Sequence, residues 1–274
     1  MRTITYRGSD GNPLHATLVG NDDAPPVMLL HAGGPDHESM LPLAALLAER
    51  HYVVLPDLRG YGRSVCADPS RHTWSQYTDD TLRLLDHLGL PTAVLGGAGL
   101  GSTITLRTAV HHPSRVRAAI LIGVEDIEDD AAKAAEIRYL DEFAERVGAD
   151  GIEAGWAPIL ANFPPLVGDM VRDAIPRCDP ASIVAAAAIG HDRSFRDVTE
   201  LAAIRAPTLV FPGTDARHPT ALAEQVARTV GNGHLATATI SNDLRTAEDL
   251  ARAVAPEITT FLHGPDSATQ HAAQ

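Results

Sequence analysis

The 274-residue chain is 45% hydrophobic and 21% charged with a formal net charge of −13, which fits one large globular domain or a core carrying a smaller insertion. The acidic balance argues against nucleic acid and anionic membrane as partners and leaves a small organic substrate or ligand open. The first residues lack a signal-peptide run, no stretch is long enough to span a membrane, and Cys66 and Cys178 match no CxxC pattern; the expectation is a cytoplasmic monomer or homodimer with no metal and no cofactor.

Residues 2–7 and 14–19 read as two strands joined through a turn at Asp10-Gly11. Residues 27–30 form a short apolar run of the kind found in buried parallel strands. The glycine-rich loop Gly33-Gly34-Pro35 then leads to a helix over roughly 40–50. A strand follows at 52–55, and Leu82, Leu84, Leu85 and Leu88 give 75–88 broadly helical spacing. A strand at 92–95 enters a tight glycine turn, a helix over 102–111 stops at Pro113, and 118–122 is another buried strand. Strands alternating with helices predict a mostly parallel sheet covered on both faces, with ligands bound beyond the carboxyl ends of its strands.

From about 125 to 200 the strand signal stops. Residues 134–147 form an amphipathic helix, and Pro164, Pro165, Pro176 and Pro180 divide the remainder into shorter helices. The strand pattern resumes at 207–211, so 125–200 reads as a helical lid inserted into a core made of 1–124 and 201–264. A last strand is expected at 235–240, then a helix to about 262 opened by a capping-box spacing at Thr246 and Asp249, and a flexible polar tail over 265–274.

The turn after the 92–95 strand has the build of a nucleophile elbow, G-x-Ser-x-G, but Gly99 stands in the serine slot. Three further motifs surround it in order. His31-Ala32-Gly33-Gly34-Pro35 resembles an HGGP-type oxyanion loop, the segment from Asp57 to Ser64 is similar to D-x-R-G-x-G-x-S, and the segment from Pro207 to Asp215 resembles a strand that ends in a catalytic acid. On these residues the chain resembles the α/β-hydrolase fold superfamily, in its proline iminopeptidase and epoxide hydrolase-like branch, from about residue 4 to 262. The resemblance implies an α/β-hydrolase fold: a mostly parallel central sheet of about eight strands, flanked by helices, with an inserted lid.

Carried over residue by residue, the family's nucleophile falls on Gly99, which has no side chain to attack with. Its acid falls on Asp215, one residue closer to the preceding glycine than is usual. Its histidine slot falls on Asp243 or Asn242, so two of three triad members are missing. Glycine suits the positive-φ elbow at no steric cost, which fits either a relaxed, inactive site or a site opened for a ligand.

The oxyanion apparatus can outlast the nucleophile: the backbone N–H groups of Leu100 and of Ala32 or Gly33 are placed to meet a carbonyl or enolate oxygen. His31 reads as loop support or ligand contact. Asp36, His37 and Glu38 follow that loop, and His37 is the leading candidate for a general acid or base, with Glu38 beside it. Asp215 and Asp243 are expected to approach each other as a proton-sharing pair. Glu125, His191 and His218 are further pocket candidates, Ser102 is the candidate displaced nucleophile, and Asp57 and Arg59 read as anchors of their turn.

The expected function is non-covalent acid/base chemistry (cyclisation, elimination, decarboxylation or direct water attack) on a small carbonyl- or ester-containing metabolite, in keeping with specialised metabolism. The alternatives are a non-catalytic ligand-binding protein and a hydrolase with a displaced nucleophile.

Overall fold

A computed structural model describes residues 1–264, so the expected tail lies outside the described residues. Apolar alternation along the strands builds one eight-stranded sheet. In chain order the strands are β1 (Arg2–Arg7), β2 (Pro13–Val19), β3 (Pro26–Leu30), β4 (Tyr52–Pro56), β5 (Ala93–Ala98), β6 (Val116–Ile122), β7 (Thr208–Phe211) and β8 (Gly233–Leu235). Their spatial order is β1-β2-β4-β3-β5-β6-β7-β8. β1 and β2 form an antiparallel hairpin, β2 is antiparallel to β4, and every other pairing is parallel.

Because side chains alternate across a strand, the central strands feed two cores. Met28, Leu30, Val54, Leu95 and Leu121 face one side, covered by α2 (Trp74–His87) and α3 (Leu100–His111). Val27, Leu29, Val53, Val94 and Ile120 face the other, where α1 (Leu41–Leu47) packs. Each fully buried Leu or Ile contributes roughly 1.5–3 kcal/mol relative to exposure.

Between β6 and β7 the chain is helical: α4 (Asp130–Asp150), α5 (Ile152–Leu160), α6 (Pro165–Ala174) and α7 (Pro180–Ala186). α4 begins earlier than the periodicity predicts, because Asp129 caps it by accepting from Ala131 and Ala132 N–H. These helices carry their own apolar cluster around Phe143, Val147 and Ile159. They are fastened to the core where the Asp192 carboxylate accepts from Trp74 N–H at 2.8 Å. After β7 come α8 (Thr220–Thr229), which the sequence reading did not identify, and α9 (Ala247–Leu262). The capping box at Thr246 and Asp249 is present.

The last strand departs from expectation. β8 is only Gly233–Leu235, and His234 lies within it rather than before it. Downstream, Thr237 and Ala238 give their N–H groups to the Glu257 carboxylate of α9, at 3.0 and 2.7 Å. That side chain replaces the sheet ladder at these two residues, and the segment rejoins the sheet at an isolated bridge between Gly213 and Ile240.

The parallel register sets Leu30 beside Gly97, Ala98 beside Ile122, and Ile122 beside Phe211. Four strand ends therefore lie level, and the loops that leave them converge. Among the described residues, no helix is long and apolar enough to cross a membrane.

Candidate functional site

The elbow is built by close backbone packing. Gly99 has φ +49° and ψ −115°, in the left-handed half of backbone space that glycine tolerates best. A Cβ on Gly97 would lie 2.1 Å from the Gly101 carbonyl carbon, and one on Gly101 would lie 2.3 Å from the Leu30 carbonyl oxygen. Both contacts are with backbone, which cannot rotate away. Gly97→Ala is therefore expected to destabilise the fold by about 3 kcal/mol or more, measured by denaturant unfolding.

Ser102 does not face the cavity. Its hydroxyl donates to Gly97 C=O at 2.7 Å and accepts from Ile122 N–H at 3.1 Å, stitching β5 to β6. It is fully buried, and both of these bonds are structural.

Over Gly99 lies a carboxylate. A Cβ there would meet Glu125 Oε1 at 2.9 Å, so Glu125 occupies the space next to the vacant nucleophile position. Glu125 leaves the end of β6 and is ion-paired with Arg217. Arg217 Nη2 also reaches Glu136 at 3.1 Å and Asp126 at 3.4 Å. Asp126, with φ +61°, is the one non-glycine residue with positive φ among those described. Thr103 donates to its carboxyl at 2.9 Å. Strain of this kind costs about 1–3 kcal/mol, and here it turns a buried acid toward the guanidinium.

The imidazole that meets Asp215 is His218, three residues along the same loop. His218 Nδ1 lies 3.1 Å from both Asp215 carboxylate oxygens, while Nε2 lies 3.4 Å from Glu125 Oε2. Two glycines make room for it: a Cβ on Gly213 would lie 2.5 Å from His218 Cβ, and one on Gly123 3.1 Å from its Cδ2. Asp215 is further held by the N–H groups of Arg217 and His218, at 2.9 and 3.0 Å.

The charges follow from these contacts. Burial opposes the Glu125 charge, but Arg217 and His218 outweigh it and bring its pKa down to about 2. Burial likewise opposes the His218 charge, yet Asp215 and Glu125 hold its proton up to about 9. Asp126 moves the opposite way: burial and the neighbouring Glu125 charge raise it well above the carboxylate range. At neutral pH the row of Asp215, His218 and Glu125 reads carboxylate, imidazolium, carboxylate. Lys133, the chain's one lysine, caps the far side at 2.7 Å from Glu136. Asp126, Glu128 and Glu136 have metal-ligand spacing, but Arg217 and Lys133 already bind that cluster.

Ala32, Gly33 and Leu100 line the same cavity, as do Glu125, Asp215 and His218. Leu100 is the first residue of α3, so its N–H has no intrahelical acceptor. The remaining candidates lie elsewhere. His31 is buried; its Nε2 accepts from Leu58 N–H at 2.9 Å and its Nδ1 lies 2.8 Å from Ala32 C=O. It therefore braces the loop rather than lining the cavity.

His37 is also outside the lining, contrary to expectation. A 3-10 turn over His37–Met40 directs it at Asp57, with Nδ1 and Oδ1 2.6 Å apart. Asp36 caps that turn and pairs with Arg177 at 2.6 Å, and Glu38 lies 3.3 Å from the same guanidinium. His191 is exposed and pairs with Asp141 at 2.7 Å. Asp243 does not approach Asp215: it is exposed in a turn before α9 and contacts Ser241 at 3.3 Å, while Ile240 faces the cavity instead. Arg217 and Glu136 were not singled out in sequence. The only signal for Arg217 was its place in the Asp215-Ala216-Arg217-His218 run.

A family model for the alpha/beta hydrolase fold matches residues 25–157. A relative from Variovorax paradoxus, named as a carbamate hydrolase, RutD, is 31% identical over 210 residues, 74% of this chain and 78% of that protein. Further curated relatives are spanned over less than half of their own length. Among solved structures, a hydrolase from Pseudomonas aeruginosa superposes with a TM-score of 0.81 at 23% identity, covering 96% of this chain and 99% of that one. The bottromycin epimerase BotH, in complex with bottromycin A2, superposes with a TM-score of 0.73 at 20% identity, covering 95% and 100%. At such identities the structural likeness carries the fold alone.

Proposed function

Given that the chain belongs to the α/β-hydrolase superfamily but has glycine at its elbow, we propose non-covalent acid/base chemistry on a small metabolite with a carbonyl or ester-like oxygen. The observation that carries this reading is His218 standing between Asp215 and Glu125, with the Glu125 carboxylate above Gly99.

The substrate oxygen is received by the N–H groups of Leu100 and of Ala32 or Gly33, where developing negative charge is stabilised without rearrangement. Glu125 takes a proton from the adjacent carbon or from a bound water. His218 gives its Nε2 proton to the oxygen that becomes negative, and Asp215 stabilises and orients the imidazole in both states. The proton on Glu125 then returns to neutral His218 across the 3.4 Å gap, which restores both groups with no net proton change. Arg217 holds Glu125 as a weak base in the resting site.

The test is exchange of carbon-bound hydrogen next to the carbonyl of a bound ketone in D2O, followed by NMR. Glu125→Gln is expected to slow exchange by about a hundredfold or more while ligand still binds. Unchanged exchange in that variant, or binding without exchange or turnover by the native protein, rejects the acid/base reading. The second outcome favours a binding protein, a reading supported by the tight Arg217 hold on Glu125. Labelling by a fluorophosphonate would instead reveal a displaced nucleophile.

A further inference from the structure

The chain contains only two Trp, five Tyr and five Phe, yet six of these twelve side chains line the cavity: Tyr61, Trp74, Tyr139, Phe143, Trp156 and Phe163. The sheet core, in contrast, is filled mainly by Leu, Ile, Val and Ala. Four of the six rings come from the helical segment between β6 and β7, and two from the core facing it, so aromatic faces enclose the space from both sides.

These rings are seated in advance. Phe143 and Trp156 meet edge to face, with centroids 4.9 Å apart and planes at 64°. Gly34 in the loop after β3 makes way for Trp156, because a Cβ there would lie 2.6 Å from the indole Cζ2. Tyr61 packs edge-on against the loop-bracing His31, with centroids 5.5 Å apart. Ligand binding therefore does not have to order them.

Size narrows the ligand. The cavity has a volume of about 170 Å³, below the roughly 300–1,000 Å³ of sites for drug-sized molecules. An apolar cavity of roughly 150 Å³ accepts a benzene-sized molecule. Charge narrows it further. The polar end holds the Glu125 and Asp215 carboxylates, and the Arg217 guanidinium is already shared among Glu125, Asp126 and Glu136. A ligand carboxylate at Leu100 N–H would sit against Glu125 Oε1, like charge on like charge.

We infer that the substrate is a single-ring aromatic or similarly flat unsaturated molecule carrying one uncharged oxygen acceptor, such as an aryl ketone or ester. The ring stacks among Tyr61, Phe143 and Trp156, and the oxygen points at Leu100 N–H. This deepens the acid/base reading and relies on it only for what happens at the oxygen.

Both tryptophans line the cavity, so intrinsic fluorescence of the native protein reports its occupancy. Three probes separate the contributions: acetophenone, its ring-saturated analogue cyclohexyl methyl ketone, and benzoate. Acetophenone is expected to bind roughly three- to tenfold more tightly than the saturated ketone and at least about tenfold more tightly than benzoate. Equal affinity for the two ketones, or tighter benzoate binding, overturns the inference. Tyr61→Leu, at a half-buried position that leaves both tryptophan reporters in place, should narrow the preference for the aromatic ketone; an undiminished preference counts against the stacking role. Repeating the titration with Glu125→Gln separates the two proposals: retained aromatic selectivity with lost exchange supports both, and retained selectivity with unchanged exchange rejects only the acid/base reading.

Discussion

Replacing Arg217 with glutamine is expected to produce the largest loss of stability of any single change in the cavity, about 3 kcal/mol at neutral pH. Arg217 is the shared partner of Glu125, Asp126 and Glu136, three acids that are each buried. Removing one member of a buried ion pair costs about 3–5 kcal/mol, because the remaining charge keeps its desolvation penalty. The low end applies here, since Arg217 is 32% exposed and water reaches part of the guanidinium. The loss should have a distinctive pH dependence. Without Arg217, Glu125 and Glu136 titrate nearer the ordinary carboxylate range, so the variant is most compromised at neutral and alkaline pH and recovers relative to the native protein in acid. Chemical unfolding of both proteins from about pH 2 to about pH 8 measures this, with the gap closing below about pH 4.5. A constant difference across that range would mean that Arg217 acts through packing rather than charge.

The second large effect concerns His218. Folding favours its protonated form, raising its pKa from about 6.5 to about 9 through the Asp215 and Glu125 carboxylates. The added stability is fully present below the unfolded-state value and is lost as pH rises through about 9. A shift of this size corresponds to roughly 3 kcal/mol. The stability gap between the native protein and His218→Gln should therefore close between about pH 6.5 and about pH 9.5. Activity should decline over the upper part of the same window as the general acid loses its proton. On the acid side, Glu125 and Asp215 both lie below the ordinary carboxylate range, so activity should persist to lower pH than an unpaired carboxylate would permit. An alkaline limb that is unmoved by Asp215→Asn would assign that titration to another group.

Both expectations rest on a site that is displaced relative to the one the family motifs outline. Those motifs place a nucleophile on Gly99 and a histidine near Asp243. The structure has a carboxylate beside the first position and solvent around the second. The imidazole facing Asp215 instead comes from the same loop as the acid. The chain thus has an acid–imidazole contact between Asp215 and His218 and a carboxylate beside the position where the family carries its attacking group. Proximity in sequence misdirected the assignment of His37. It follows the oxyanion loop directly, but one 3-10 turn is enough to aim it at Asp57 instead.

What the sequence determined by itself is local. Strand alternation, the elbow glycines, the loop from His31 to Pro35, the cap of α9 and the position of Asp215 at a strand end all follow from steric or hydrogen-bonding rules within a few residues. These were enough to establish the fold class and the absence of a nucleophile side chain at the elbow. The working constellation is non-local. Glu125 and Arg217 are 92 residues apart in the chain and meet only because β6 and β7 are adjacent and end level. The aromatic lining likewise draws on helices whose spacing in sequence says nothing about which ring faces which. Burial then sets the two carboxyls apart: Glu125 is held below the ordinary carboxylate range while Asp126 is pushed above it, since only Glu125 has both Arg217 and His218 as partners. Tertiary structure alone decides that division, because desolvation and pairing exist only once the loops have come together.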